Sequence, residues 1–324
     1  MLILVPDFDT VDRINSALNE LKCNLRSDGR PIIGLPAKRL AQICFDANPK
    51  SLVIPAHIWT PWFALFGSFS GYDTIEDCFE ELTPKIYALE TGLSSDPEMN
   101  WRLSALNRYT LISNSDAHSP HNLGREANVF DLEKFAYNEI YEVIKNKDKK
   151  KFLYTIEFYP QEGIYHYDGH RDCKFVCSPE ESIKKYKNIC PKCKKKMTLG
   201  VDHRVADLAD RELGFVPENS IPYKSLVPLE EIIAECLGQG KKTKGVENIY
   251  ESMLLKGGNE FHILLDLSRE EIAAISNKII AEAIMRVRER QIFASPGYDG
   301  KYGVITVFSP EERKRLQPSQ KSLF

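Results

Sequence analysis

Three short apolar segments in the first part of the chain end in side chains that can bind a metal ion. The segments are 51–57, 85–90 and 110–118, and the residues at their ends are His57, Glu90, Asp116 and His118. Helix-like segments separate them, and strands that alternate with helices predict a parallel sheet or a (β/α) barrel. Because the carboxyl ends of parallel strands meet at one edge, we expect these four side chains to face a single pocket.

These side chains form a mixed set of nitrogen and oxygen donors. Asp116 and His118 are two residues apart, a spacing that points both side chains to the same side of an extended segment. Such a set suits zinc, manganese or iron and is compatible with a two-metal site. Each residue also has an ordinary interpretation: His57 as a core histidine, Glu90 as a surface cap, and Asp116 as a helix cap beside an incidental His118.

The composition is that of a globular protein and does not identify a partner. The 324 residues are 43% hydrophobic and 27% charged, with a net charge of −3, so a nucleic-acid surface would have to be local. The apolar start of the chain is followed at once by Pro6 and Asp7, unlike a signal peptide, and no apolar run is long enough to span a membrane. We therefore expect a cytoplasmic protein.

Four of the eight cysteines cluster in the middle of the chain. Cys190 and Cys193 form a Cys-x-x-Cys knuckle, and His170 and Cys173 are separated by the same gap. Two such pairs at this distance in sequence are typical of a structural Zn²⁺ site. Cys177 is the alternative to His170 as the fourth ligand. A redox role for the knuckle is the other interpretation, but no strand–CxxC–helix pattern accompanies it.

Basic residues surround this cluster. The candidates for DNA binding are Lys192, Lys194, Lys195, Lys196 and, further along, Arg204. With the interleaved Tyr165, Tyr167 and Tyr186, they predict a surface that grips phosphates and stacks on an unpaired base. A lysine-rich face that only keeps the protein in solution is the alternative.

The chain divides into three predicted parts. Residues 1–150 contain the strand ends, residues 151–205 contain the cysteine cluster, and residues 206–324 are mostly helical in pattern. In the last part we expect helices at 228–237, 246–255 and 268–290 and a strand at 303–308. Ser268 and Glu271 have the spacing of a capping box.

Three longer motifs are similar to those of the endonuclease Q family. They are IPAHIWTPWF at 54–63, ALETGLSSDPEMNWR at 88–102 and SNSDAHSPHNLGREAN at 113–128. The resemblance runs from residue 1 to about Phe308. It implies an α/β fold with a distorted (β/α) barrel of the polymerase and histidinol phosphatase type (the PHP domain), a zinc-binding module and a helical C-terminal domain. It also implies a metal-dependent endodeoxyribonuclease of DNA repair, which cleaves damaged DNA on the 5′ side of uracil, hypoxanthine, xanthine or an abasic site.

The resemblance also assigns roles to single residues. His57 matches the family's Pro-Ala-His ligand, Asp116 and His118 match its Asp-x-His pair, and Glu90 matches a strand-end carboxylate. The superfamily's first metal motif, a His-x-His at the end of its first strand, has no counterpart, since no histidine precedes His57. We therefore expect an incomplete barrel. An amino-terminally truncated, inactive or weakly active fragment is expected rather than a degenerate relative.

The expected chemistry is hydrolysis by metal-activated water. Divalent ions (Zn²⁺, Mn²⁺ or Mg²⁺) at the strand ends would lower the pKa of a bound water and neutralise charge on the phosphate, and Asp116 is the predicted catalytic residue. The damaged base would be flipped out of the stack. Trp59, Trp62 and Phe63 are candidate cleft aromatics that could equally belong to the core. A small-molecule phosphoesterase and a catalytically dead DNA-binding protein are the alternatives.

The chain ends in a short motif that resembles a partner-binding sequence. Gln320 and Leu323 have the spacing at which a sliding-clamp-binding box begins, although such boxes continue to a pair of aromatic residues. A sliding clamp is therefore an expected partner if the motif is real. A polar tail with an apolar end is the alternative.

Overall fold

The structure is a computed structural model, and it describes residues 1–26, 32–69 and 71–316. The strands are β1 (Leu2–Leu4), β2 (Leu52–Ile54), β3 (Ala88–Glu90), β4 (Thr110–Ile112), β5 (Ala127–Phe130), β6 (Phe152–Glu157), β7 (Asp168–His170), β8 (Phe175–Cys177), β9 (Tyr223–Ser225), β10 (Phe293–Ser295) and β11 (Val304–Thr306). The α-helices are α1 (Phe8–Glu20), α2 (Ala37–Ala47), α3 (Ile75–Phe79), α4 (Pro97–Trp101), α5 (Tyr137–Asn146), α6 (Pro179–Glu181), α7 (Val201–Leu208), α8 (Leu229–Leu237), α9 (Lys244–Gly257), α10 (Glu260–Leu265), α11 (Arg269–Ile275), α12 (Lys278–Arg288) and α13 (Pro310–Leu316). A mixed α/β fold is therefore confirmed.

The strands pair into several small sheets. β3 and β4 are parallel, with Glu90 opposite Ile112, as the alternation of strands and helices predicts. β1 and β2 are instead antiparallel. In the three-stranded sheet β5–β6–β9, β6 is antiparallel to β5 and parallel to β9. The closed or distorted barrel remains a prediction.

The first helices pack over the strands through one apolar face. α1 begins after Asp7, whose carboxylate accepts the N–H of Thr10 at 2.7 Å, and it buries Thr10, Ile14 and Leu18. This spacing is that of one face of a helix. A second apolar cluster, which includes Leu52, holds β2, β3 and β4 together. The ends of these strands, where the candidate residues lie, are therefore attached to a packed core.

The middle of the chain is a small module built on the hairpin β7–β8. Asp168 of β7 is fully buried, and it accepts the N–H of Gly200 at 2.7 Å. Its other oxygen lies 2.5 Å from Nδ1 of His203 in α7. A buried carboxylate is stable only when hydrogen-bonded in this way. The pair fixes the module to α7, and the spacing of Asp168 and His203 in sequence offered no sign of it.

The last third contains the bundle α8–α12. The single helix predicted at 268–290 is wrong, because α11 ends at Ile275 and α12 begins at Lys278. The break is set by Asn277, whose side chain accepts the N–H groups of Ile279 and Ile280 and so starts a new helix. The capping box of Ser268 and Glu271 is confirmed.

The three-stranded sheet crosses the predicted division of the chain. β5, β6 and β9 come from residues 127–130, 152–157 and 223–225, one strand from each predicted part. The three-part division therefore stays a proposal about organisation. Among the helices of the described ranges, none has both the length and the apolar character needed to cross a bilayer. The residues of the predicted clamp-binding box, Gln320 and Leu323, lie outside the described residues.

Candidate functional site

The four predicted strand-end residues lie around one cleft. His57, Glu90, Asp116 and His118 all line a cavity of about 880 Å³, together with residues from the middle and the C-terminal third of the chain. Glu90 is the last residue of β3, and the other three residues lie on the loops that follow β2 and β4. The prediction that they face one pocket therefore agrees with the structure, and their role as metal ligands remains a proposal.

Glu90 is the buried centre of this group. Only 4% of it is exposed, and its two oxygens accept different donors. One oxygen accepts the backbone N–H of His57 at 2.7 Å, and the other accepts the side-chain N–H of Asn114 at 2.9 Å. Glu90 thus joins the loops after β2 and β4, in contrast to the surface-cap interpretation. Each carboxylate oxygen keeps one further lone pair with which it can contact an ion.

His57 is held in a left-handed backbone conformation. Its φ is +37°, which is uncommon for a residue with a side chain. Gly92 lies against it, and a Cβ at Gly92 would come within 2.7 Å of the Cβ of His57. Nδ1 of His57 lies 3.2 Å from the hydroxyl of Thr60, which can donate its own proton to the carbonyl of Trp62 at 3.2 Å. In that arrangement Nδ1–H donates to Thr60, and Nε2 keeps the lone pair that a metal ion needs.

Asp116 and His118 follow β4 on an exposed loop. Asp116 also has a left-handed backbone, with φ of +44°. Nδ1 of His118 lies 2.8 Å from the carbonyl oxygen of Asp116. A carbonyl oxygen can only accept a hydrogen bond, so Nδ1 of His118 carries the proton. Nε2 therefore keeps a lone pair that can bind a metal ion. The two histidines therefore present the same nitrogen for coordination.

An amide network supports the loop after β4. The amide group of Asn128 in β5 accepts the N–H of Ser113 at 2.9 Å and donates to the carbonyl of Ser113 at 2.8 Å. Asn114, which contacts Glu90, comes next in the chain. These two hydrogen bonds between Asn128 and Ser113 fix the position of the first residue of the loop after β4. Asn128 lies inside a motif already noted, but its spacing alone did not identify this role.

Two further buried carboxylates lie near the site and were not predicted. Glu157 at the end of β6 accepts the hydroxyl groups of Thr155 at 2.5 Å and Thr91 at 2.9 Å, and burial raises its pKa to about 8. Glu126 accepts the N–H of Phe158 at 3.3 Å, while its second oxygen is buried without a hydrogen-bond partner. Burial, followed by the charge of Glu157, raises the pKa of Glu126 well above its ordinary value. Burial therefore favours the neutral form of both carboxyl groups.

Aromatic residues of distant segments line the rest of the cleft. They are Trp62, Phe158, Tyr165, Tyr250, Phe261 and Tyr302. Of the three aromatic residues singled out beside His57, Trp59 is a core residue, with its indole N–H donating to Asn100 at 2.8 Å. Trp62 and Phe63 are exposed. Sequence pattern could not separate these three, because all of them follow one strand within a few residues.

The cysteine cluster has the geometry of a metal site. The donor atoms of His170, Cys173, Cys190 and Cys193 all lie within 4.8 Å of one another, which fits a tetrahedral ion with bonds of roughly 2.0–2.3 Å. Burial opposes ionisation of Cys190, but the N–H groups of Cys193 and Lys192 point to its sulfur, and the pKa of the thiol is lowered on balance. Cys177 does not belong to this group; it lies opposite Asp168 in the β7–β8 hairpin. The geometry therefore favours His170 as the fourth member.

The predicted DNA-binding cations have different environments. Lys192, Lys194, Lys195 and Lys196 are exposed, and the ammonium group of Lys192 donates to the carbonyl of Cys173 at 2.8 Å. Arg204 is half-buried. Its guanidinium donates to the carbonyls of Phe66 and Tyr72 and to the carboxylate of Asp73. These contacts give Arg204 a structural task that its position in the sequence did not reveal.

Comparison with protein families gives one match within the C-terminal part. Residues 228–291 match the family model described as the MJ0043 C-terminal domain. Over 258 residues the chain is 35% identical to the uncharacterized protein MJ0043 of Methanocaldococcus jannaschii, and the match covers 78% of this chain and 32% of that protein. The chain thus spans about a third of the length of this relative. It is 29% identical over 279 residues to the uncharacterized protein YqxK of Bacillus subtilis, covering 84% of this chain and 67% of that protein.

Two solved structures resemble nearly the whole chain. One is the lesion-specific endonuclease PfuEndoQ from Pyrococcus furiosus, with a TM-score of 0.85 and 33% identity over 97% of this chain and 76% of that chain. The other is endonuclease Q in complex with a 27-mer duplex substrate that carries an abasic lesion at the active site. It has a TM-score of 0.83 and 32% identity over 99% of this chain and 78% of that chain. Because the identity is above 30% over most of both chains, the similarity includes the sequence as well as the fold.

Proposed function

The chain belongs to the endonuclease Q family, and from that premise we propose that it is part of a DNA repair nuclease that hydrolyses the backbone beside a damaged nucleotide. The observation that carries this proposal is the convergence of His57, Glu90, Asp116 and His118 on one cleft. The finer proposal is cleavage on the 5′ side of deaminated bases and abasic sites. It rests on the motifs of the family and on a solved relative that holds an abasic duplex.

The cleft residues fit one or more divalent ions. The two histidines offer Nε2 atoms, and Asp116 and Glu90 offer carboxylate oxygens, a set suited to Zn²⁺ or Mn²⁺ and compatible with Mg²⁺ beside water. A bound divalent ion supplies a water of lowered pKa and neutralises charge on the phosphate. Asp116, exposed on the loop after β4, would contribute a carboxylate to these ions and would position the water that they activate. Glu90 orients His57 through its hydrogen bond to the backbone.

The cysteine cluster has a structural role in this proposal. His170, Cys173, Cys190 and Cys193 would hold one Zn²⁺, and the bound ion would stabilise this small module, whose own hydrophobic core is small. The exposed lysines 192 and 194–196 then lie on a rigid support. We propose that they contact DNA phosphates at a distance from the cleft, so their contribution to affinity is electrostatic and decreases with salt.

A nicking assay tests the proposed reaction. The substrates are end-labelled duplexes that carry a single uracil, hypoxanthine or abasic site, with the undamaged duplex as control and Mn²⁺ or Mg²⁺ added. The family's first two-histidine motif is absent from these 324 residues, so we expect weak nicking by this chain.

Two results would contradict the proposal. Hydrolysis of a phosphomonoester without nicking of damaged duplex would identify a small-molecule phosphoesterase instead. Binding of damaged duplex with no nicking in the presence of each metal would identify a DNA-binding protein without catalysis. Cleavage on the 3′ side of the lesion would reject the finer proposal alone.

A further inference from the structure

The loop after β2 presents two large aromatic side chains beside the cleft. Trp62 is 42% exposed and lines the cavity, and Phe63 is 82% exposed. Both follow His57 within six residues. An exposed aromatic pair next to the proposed reaction site is unusual, because apolar surface of this size is normally buried unless a partner covers it.

Phe63 is also held in a strained backbone conformation. Its φ is +57°, the left-handed region that a bulky residue rarely occupies. Glycine would adopt this conformation without cost. Backbone strain of this kind persists only where the surrounding structure fixes it, and it is most common at functional sites.

The loop that carries Phe63 is braced on several sides. The N–H of Phe66 donates to the carbonyl of Ile58 at 2.8 Å, and the N–H of Tyr72 donates to the carbonyl of Leu65 at 2.7 Å. The guanidinium of Arg204 in α7 donates to the carbonyls of Phe66 and Tyr72. The aromatic pair is therefore presented by a rigid support.

Trp62 is held in one orientation by its neighbours. Its ring stacks on Phe69 with centroids 4.8 Å apart and planes 9° from parallel. Tyr165 of the middle module meets it edge-on at 5.1 Å. Trp62 therefore belongs to the wall of the cleft, whereas Phe63, the next residue, is 82% exposed.

The chemistry of the loop selects the part of DNA that it can contact. Residues 58–69 contain no lysine, arginine, aspartate or glutamate. Such a surface offers nothing to phosphates, but its rings match the faces of nucleobases, on which aromatic side chains stack. A lesion that lacks its base, as in the solved relative, leaves a gap in the stack that an apolar side chain can fill.

We propose that Phe63 inserts into the base stack at the damaged position and fills the space of the missing or extruded nucleotide. This inference rests on the proposed function. Filling the gap offsets the stacking that is lost when a nucleotide leaves the helix. Because an undamaged pair has no such gap and is costlier to open, Phe63 also favours damaged over undamaged duplex. Trp62 remains in the wall and limits how deep the duplex can approach.

The test is binding of an abasic duplex by Phe63→Ala and Phe63→Gly, measured by fluorescence anisotropy without added divalent metal. We expect each variant to bind roughly ten-fold or more weakly than the parent chain, in line with the loss of one stacked ring. Phe63→Trp is expected to bind within about three-fold of the parent, since an indole stacks at least as well as a phenyl ring. Phe135→Ala is the matched control, because Phe135 is 93% exposed and is not among the cleft residues.

A second measurement separates insertion from damage to the fold. A pyrene nucleotide placed opposite the abasic site fills the same gap from the DNA side, so it should restore binding by Phe63→Gly to within about three-fold of the parent. The melting temperature of Phe63→Gly should equal or exceed that of the parent, since glycine relieves the left-handed strain.

The outcomes distinguish this inference from the function on which it rests. If the parent chain does not prefer damaged duplex at all, the proposed function fails. If the parent prefers damaged duplex but Phe63→Gly binds like Phe135→Ala, insertion by Phe63 is rejected and the exposed ring serves some other contact. Loss of binding that pyrene fails to restore also rejects it.

Discussion

The backbone N–H of His57 donates to the carboxylate of Glu90 at 2.7 Å, and this bond joins the loop after β2 to the last residue of β3. The donor is the main chain, so the position of the histidine does not depend on its own rotamer. The second oxygen of Glu90 accepts from Asn114, two residues before Asp116. One buried carboxylate therefore sets the relative positions of three of the four residues in the proposed metal site.

Replacing Glu90 should weaken metal binding without unfolding the chain. Glutamine has nearly the same shape as glutamate but lacks the negative charge that would face the ions. In Glu90→Gln the new amide group also offers only one oxygen, so it cannot accept hydrogen bonds from both His57 and Asn114. We expect roughly a 10- to 100-fold loss of affinity for Mn²⁺ in the cleft, the range seen when groups that position ligands are changed. Calorimetric titration with Mn²⁺ measures this. Glu133→Gln, an exposed glutamate, is the control, and equal affinity in both variants would remove Glu90 from the site.

Asp116→Asn should separate catalysis from binding. The change keeps the size of the side chain but removes the charge proposed to bridge ions or orient the water, so nicking is expected to fall by at least roughly 100-fold. Affinity for the damaged duplex should change by less than about three-fold, because phosphate contacts dominate it. The experiment uses the form of the protein that nicks damaged DNA, with nicking and anisotropy measured on the same duplex. Parallel loss of both quantities would contradict this role for Asp116.

The strand-end residues could be predicted because their signal is local. A short apolar segment that ends in a histidine or carboxylate is visible within a few residues, and the two-residue gaps in the cysteine cluster are equally local. The parallel pairing of β3 and β4 also follows from the alternation of elements. These features depend on backbone period and ligand spacing, which do not change with the tertiary fold.

The features that sequence reasoning missed are contacts between distant segments. Glu126 and Glu157 are ordinary glutamates in sequence, and they become buried only when distant segments of the chain fold together. His203 and Asp168 form a hydrogen bond although they are far apart in sequence. Arg204 was predicted to bind DNA, but in the folded chain its guanidinium donates to the carbonyls of Phe66 and Tyr72. The break between α11 and α12 does have a local signal, because Asn277 is a residue type that commonly begins a helix. It was missed because the apolar residues keep a helical spacing on both sides of Asn277.

The cysteine cluster should hold about one zinc ion per chain. Replacing Cys190 and Cys193 together with serine should release it and lower the melting temperature, because zinc binding contributes directly to folding of such modules. Cys177→Ser is the matched control and should retain the metal, whereas His170→Ala should bind it more weakly. Elemental analysis after dialysis against a mild chelator measures the content. Loss of zinc from Cys177→Ser with retention in His170→Ala would reverse the assignment of the fourth ligand.

Glu157 should make the stability of the fold depend on pH in the direction opposite to an ordinary surface carboxylate. Burial raises its pKa from 4.5 to about 8, so between these values the folded chain holds a proton that the unfolded chain has released. The free energy of unfolding therefore falls as pH rises from about 4.5 to about 8. Glu157→Gln is neutral at every pH and lacks this decrease. Its stability relative to the parent should rise with pH, by roughly 1–3 kcal/mol across that window, as measured by urea unfolding at pH 5, 7 and 9. Glu133→Gln serves again as the exposed control, and a difference between Glu157→Gln and the parent that stays constant with pH would show that Glu157 is ionised in the folded chain.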